Sequence, residues 1–210
     1  MPDWTWIYLV RHGETDWNRE MRLQGHSDTP LNLLGREQAA CLTGRLRSLL
    51  PAALYSSDLC RSTETARIAL FADRAGLDDG CCRITPALRE RHFGEWEGLT
   101  RQEIEERSPD LYRRWIAREP GFCYPGAESH QQLRARVAAI LERLVQEHGG
   151  ERVILFSHGG AILSAIGYAL GTSADTRLPI TLANASLSAI CHAEGRWSLA
   201  FVNDTCHAQR

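Results

Sequence analysis

Two stretches decide the fold: residues 5–14, TWIYLVRHGE, and residues 153–160, VILFSHGG. Each opens as a strand-like run of β-branched and aromatic residues and ends directly in a histidine followed by glycine. In an open parallel sheet, ligands sit in the crevice at the carboxyl ends of the strands. His12 and His158, placed there, can face each other across one small site. The following glycines, Gly13 and Gly159, let backbone approach a ligand closely and present N–H groups to an anion.

Working outward, further strand-like runs fall at Leu54–Ser56, Ser186–Ile190 and Trp197–Val202. Between them Gly35–Leu50 keeps Ala39, Leu42, Leu46, Leu49 and Leu50 on one helical face. His130–Glu147 does the same with Leu133, Val137, Ile140, Leu141, Leu144 and Val145. Strands alternating with helices predict an α/β fold with right-handed crossovers and a mostly parallel central sheet, and the last two strands predict an antiparallel edge hairpin. Residues 87–129 break this rhythm with Gly94, Gly98, Pro109, Pro120, Gly121, Pro125 and Gly126. They read as an excursion over the carboxyl edge of the sheet, within a single domain spanning 1–210.

Composition narrows the function classes. Apolar residues make up 43% and charged residues 24% of 210, with no run long enough for a transmembrane helix. A net charge of −2 speaks against a nucleic-acid partner, so any anion binding must be local. Seven cysteines, with no CxxC pair and with Cys81 beside Cys82, predict reduced thiols and a cytoplasmic setting. The opening MPDWTWIYLV has no basic segment before its strand, against a cleaved signal peptide. A homodimer stays open.

A lone strand-end histidine is more often structural than catalytic, and a lone arginine more often solvated. Here Arg11 stands beside His12, and clustered positive charge costs energy unless an anion arrives. Arg61, in SSDLCRSTETA at 56–66, falls near the first turn of a helix after the third strand and should reach the same crevice. Its planar fork suits phosphate, because it gives paired, charge-assisted hydrogen bonds at any working pH.

Five motifs stand in order along nearly the whole chain: RHGETDWN at 11–18, LQGHSDTPLN at 23–32, SSDLCRSTETA at 56–66, LRERHFGEWEG at 88–98 and SHGG at 157–160. Together they resemble the histidine phosphatase superfamily, also called phosphoglycerate mutase-like. The resemblance implies a three-layer α/β/α sandwich in which His12 is transiently phosphorylated. It implies a phosphate pocket of Arg11, Arg61 and a protonated His158, with Asn18, Gln24, Gly25 and Gly159 as further binding positions. Glu90 becomes the proton donor to the leaving oxygen and then the base that activates water. Imidazole attacks only when neutral, so Arg11 and Arg61 should hold the pKa of His12 down, and a backbone carbonyl should fix its tautomer. The bland alternative for Glu90 is a salt bridge with Arg89 or Arg91.

The other six histidines form no HxH or HExxH pattern, so neither a metal nor another cofactor is expected. Trp4, Trp6, Trp17 and Trp115 read as packing residues rather than a base-stacking platform. His92, Arg101, Arg113 and Arg114 are candidates for substrate contact in the excursion.

The phosphoryl acceptor is less constrained. Phe93 stands where the mutases favour Tyr, the segment between Arg114 and the Gly126–Ser129 helix start is short, and little chain follows His207. The ending NDTCH is similar to metal-independent phosphoserine phosphatases. These features favour hydrolysis of a small phosphorylated metabolite: phosphoserine, alpha-ribazole phosphate, or a broad range. The alternatives are a cofactor-dependent phosphoglycerate mutase and a non-catalytic phosphoester-binding protein, and for the latter no catalytic residue is missing.

Overall fold

The computed structural model describes residues 3–71 and 81–208. The opening apolar run forms β1 (Thr5–Arg11), followed by the short α1 (Asp16–Arg19) and by α2 (Leu33–Arg47). Asn32 caps α2 by accepting from the Gly35 N–H, which starts this helix two residues earlier than the apolar periodicity indicates. Strand β2 (Ala53–Ser56) leads into α3 (Cys60–Phe71), and the three-residue β3 (Cys82–Ile84) follows. The excursion contains two helices, α4 (Arg101–Arg107) and α5 (Pro109–Ile116), that glycine and proline content alone obscures. Pro109 ends nothing. It sits in the first turn of α5, where its missing N–H costs no hydrogen bond.

The chain then builds α6 (His130–Glu147), β4 (Arg152–Ser157), α7 (Gly159–Ala169), β5 (Leu187–Ala193) and β6 (Arg196–Asp204). The six strands make one sheet in the order β3-β2-β4-β1-β5-β6. β3, β2, β4 and β1 run parallel, while β5 pairs antiparallel with both β1 and β6. The edge hairpin is thus as expected, with longer strands.

Successive side chains of β1 point to opposite faces, and each face has its own core. Ile7 and Leu9, with Leu155 and Ile190, pack under Leu133, Val137, Leu141 and Ile162 of α6 and α7. Tyr8 and Val10, with Ile154 and Phe156, pack under Leu42, Leu46 and Ala66 of α2 and α3. The result is a three-layer α/β/α sandwich. In the described residues no helix is long and apolar enough to cross a membrane.

Register matters most for the site. Arg11 pairs with Ser157 across β1 and β4, so His12 and His158 are the next residues on adjacent strands. The His12 N–H donates to the Ser157 carbonyl at 3.0 Å, which holds the two strand ends together just where the histidines emerge.

Candidate active site

His12 and His158 stand with ring centroids 5.1 Å apart, both buried. The Nδ1–H of His12 donates to the Gly13 carbonyl at 2.7 Å, which leaves Nε2 unprotonated. Burial lowers the pKa of His12 well below its ordinary value, and the charges of Arg61 and Arg11 lower it further. The imidazole is therefore neutral and its tautomer is set by its own backbone.

Arg61 is wholly buried beside His158. Its Nε–H donates to His158 Nδ1 at 3.2 Å, and its terminal nitrogens donate to the carbonyls of Ser27 and Gly25, each at 2.8 Å. One N–H on each terminal nitrogen remains for a ligand. With Nδ1 accepting from Arg61, the neutral His158 carries its proton on Nε2 and donates to Ser57 Oγ at 2.9 Å. Burial and the Arg61 charge push the pKa of His158 well down. A protonated His158, as the resemblance implies, would require Arg61 to give up this contact, because a guanidinium donor occupies the nitrogen that would take the proton.

Arg11 donates to the Leu182 carbonyl, while its Nε is buried without a hydrogen-bond partner. A Cβ built on Gly159 would lie 3.6 Å from that Nε and 3.9 Å from Glu90 Oε2, so Gly159 sits between the two groups. Glu90 is anchored at the start of α7, its Oε2 accepting from the Gly160 N–H at 2.8 Å and its Oε1 from the Arg91 N–H. The free N–H groups of a helix N-terminus favour negative charge, so the same helix end that orients Glu90 also suits a phosphoryl oxygen. Glu90 forms no salt bridge with Arg89, which forks onto Asp58 instead.

The remaining candidates divide. Gly25 contributes its carbonyl to Arg61, and its positive φ of 53° is favoured by glycine. Buried Gln24 accepts from the Thr29 hydroxyl, and Asn18 Oδ1 accepts both from the N–H of Thr15, the N-cap of α1, and from Asn184, so both brace the loops that frame the site. Gly13 serves packing rather than anion binding. Its N–H donates to Thr65, and an added Cβ would come within 2.3 Å of the Gly35 carbonyl oxygen.

Beside Glu90 and Gly160 opens a cavity of about 240 Å³, lined in part by Arg91, Phe93, Arg101, Trp115, Arg118 and His130. Arg101 lies at this cavity. Arg113 and Arg114 do not, which corrects the expectation for them: both are exposed on α5, paired with Asp110 and Glu119. The Nδ1–H of His92 donates to the Gly126 carbonyl at 2.9 Å, and its ring lies tilted 4.8 Å from that of His26, whose Nε2–H donates to the Glu90 carbonyl. Trp115 belongs to an aromatic cluster with Trp96 and Phe93, and it also forms cavity wall.

Several contributors carried no sequence signal of their own. Ser57 and the Leu182 and Gly13 carbonyls act through position alone. Arg136 of α6 donates to the carbonyls of Ala87, Arg89 and Glu90 and forks onto Glu128, which fixes the backbone that carries Glu90. Among the described residues, no cluster of three or more His, Cys, Asp or Glu side chains could hold a metal ion.

Facing histidines at adjacent parallel strand ends, with buried arginines around them and a carboxylate on a helix N-terminus, make this an α/β enzyme of phosphoryl transfer. The chain belongs to the histidine phosphatase superfamily (branch 1), whose sequence profile matches residues 7–205. It is 37% identical to the metal-independent phosphoserine phosphatase of Arabidopsis thaliana, over 97% of this chain and 83% of that one. It is 39% identical to phosphoglycerate mutase-like protein 4 of the same plant, over 77% of this chain and 70% of that one. Among solved structures, the mycobacterial glucosyl-3-phosphoglycerate phosphatase complexed with VO3 superposes with a TM-score of 0.81 at 32% identity, covering 94% of this chain and 98% of that chain.

Proposed function

We propose that this protein, as a single domain, hydrolyses small phosphomonoesters without a metal, through a phosphohistidine formed on His12. The observation that carries the reading is the His12 Nδ1–H bond to the Gly13 carbonyl beside Arg61 and His158, because it supplies a neutral nucleophile within a cationic pocket. The attacking Nε2 lone pair forms the N–P bond as the ester P–O bond breaks. Arg11 Nε, the two spare N–H groups of Arg61 and the N-terminus of α7 take the charge on the phosphoryl oxygens. The Nε2–H of His158 turns from Ser57 to the same oxygens and donates to them from the neutral ring.

Glu90 donates the proton to the leaving oxygen and is left as carboxylate. It then takes a proton from water, whose oxygen attacks phosphorus, and inorganic phosphate leaves with His12 restored. The cavity beside Glu90 holds the rest of the substrate. At about 240 Å³ it is of a size for a small metabolite.

The test is release of inorganic phosphate from a panel that includes phosphoserine and alpha-ribazole phosphate, with chelator present. Turnover that survives chelator supports the reading, and strict metal dependence overturns it. For the mutase alternative, 3-phosphoglycerate with catalytic 2,3-bisphosphoglycerate should release phosphate rather than isomerise.

A further inference from the structure

Glu97 stands where two of the ordered motifs meet, and it takes no part in the steps at His12 and Glu90. Its side chain is only 11% exposed. Oε1 accepts from the His26 N–H at 2.8 Å and the Phe93 N–H at 3.1 Å. Oε2 accepts from the Ser27 N–H at 2.8 Å and the Ser27 hydroxyl at 2.6 Å. Burial alone would raise its pKa, but these donors on Ser27, His26 and Phe93 outweigh that and hold it below the ordinary carboxylate value. Glu97 is thus a carboxylate whose acceptor sites are filled by N–H and O–H groups, three of the four from His26 and Ser27.

Those residues belong to the loop that aims Arg61. The Gly25 and Ser27 carbonyls each take a terminal nitrogen of the guanidinium, while its Nε–H goes to His158. The peptide unit joining Gly25 to His26 gives its N–H to Glu97 and its carbonyl to Arg61. A chain of hydrogen bonds therefore runs from carboxylate through one peptide to guanidinium, charge-assisted at both ends and mutually polarising. The fit is close: a Cβ on Gly25 would come within 2.0 Å of Glu97 Oε1. Backbone pairing seats the same two segments, the Leu23 N–H donating to the Leu99 carbonyl and the Gly98 N–H to the Leu23 carbonyl.

Resting on the phosphatase reading above, we propose that Glu97 is a positioning residue for phosphoryl transfer: it holds the Gly25 and Ser27 carbonyls in place, and through them aims the Arg61 guanidinium at the phosphoryl group and at His158. Glu97→Ala removes all four contacts. Glu97→Gln keeps the shape, but its amide NH₂ replaces one acceptor and meets donors already there.

The experiment compares both variants with wild type in kcat/KM on p-nitrophenyl phosphate, in calorimetric affinity for inorganic phosphate and in the nitrogen NMR shifts of the His158 ring, all well below the melting midpoints. In Glu97→Ala, kcat/KM and phosphate affinity should each fall by about tenfold or more, as for loss of a charge-assisted contact, and the single Nε2–H tautomer of His158 should give way to a mixture. Glu97→Gln should lose about threefold or more, the worth of an ordinary hydrogen bond, and so recover part of the effect. Should Glu97→Ala not fold, Glu97→Gln alone carries the test. A lowered melting temperature with phosphate affinity and His158 shifts as in wild type makes Glu97 merely structural and overturns the proposal. If the wild-type protein releases phosphate from no ester, the phosphatase reading fails separately, and phosphate affinity with the His158 shifts then tests Glu97 alone.

Discussion

The Nε–H of Arg61 donates to Nδ1 of His158 at 3.2 Å, so the buried arginine that borders the phosphoryl site also dictates which nitrogen of the second histidine carries the proton. A lysine at this position keeps the charge but has neither the fixed Nε–H nor the fork that also reaches Gly25 and Ser27. Arg61→Lys should therefore lower kcat/KM on the order of 10²-fold while the protein remains folded. Steady-state kinetics beside a circular dichroism melt check this. Activity within twofold of wild type would mean that charge alone suffices.

The two facing histidines should both be visible in the pH dependence of stability. His12 and His158 are held below the ordinary value of 6.5 by burial and by Arg61. Unfolded, they titrate near that value, so as pH falls below it the unfolded chain takes up protons that the folded protein refuses. Their contribution is complete above about pH 6.5 and is lost progressively toward the lower folded values. Each neutral histidine adds a slope of about 1.4 kcal/mol per pH unit within that window. Urea titrations from pH 7.5 to 4.5 should show a shallower slope for His158→Asn than for wild type. Identical slopes would contradict a buried neutral His158.

Gly160 offers a separable test of how Glu90 is held. A Cβ there would come within 2.3 Å of Glu90 Oε1, and the obstruction is the far end of a flexible side chain. Gly160→Ala should thus displace the carboxylate rather than break the helix. The expected result is a fall in kcat of about tenfold or more with a melting temperature near wild type, since one positioned acid–base group contributes about 10²–10⁴-fold. An unchanged kcat would show that Glu90 is not held by this helix end.

Gly35 should behave in the opposite way. An added Cβ would sit 2.0 Å from the Glu14 carbonyl oxygen, so backbone must move. Gly35→Ala should destabilise by about 1–3 kcal/mol, the range for forced overpacking, as read in a urea midpoint. A neutral effect would mean that the loop after β1 is freer than its contact with α2 implies.

The parts of this molecule legible in the sequence are those written in contiguous residues. Apolar runs that end in His12 and His158 announce β1 and β4, and the ordered motifs around Arg61 and Glu90 announce the site. What escaped was assembled across distance. β3 is three residues long with Arg83 and Ile84 exposed, too little apolar pattern to register. Gly13 looked like an anion loop, yet its purpose is set by Gly35 on another element. Arg113 and Arg114 drew notice as a basic pair, but both lie exposed on α5, while Glu97 gains meaning only when the fold lays His26 and Ser27 against it.

The central claim is that His12 attacks phosphorus. Rapid-quench of the protein with a radiolabelled phosphomonoester, followed by peptide mapping, tests it most directly. The account predicts an acid-labile label on His12 that chases into inorganic phosphate and is absent from His12→Ala. Label on any other residue, or hydrolysis that persists in His12→Ala, would contradict it.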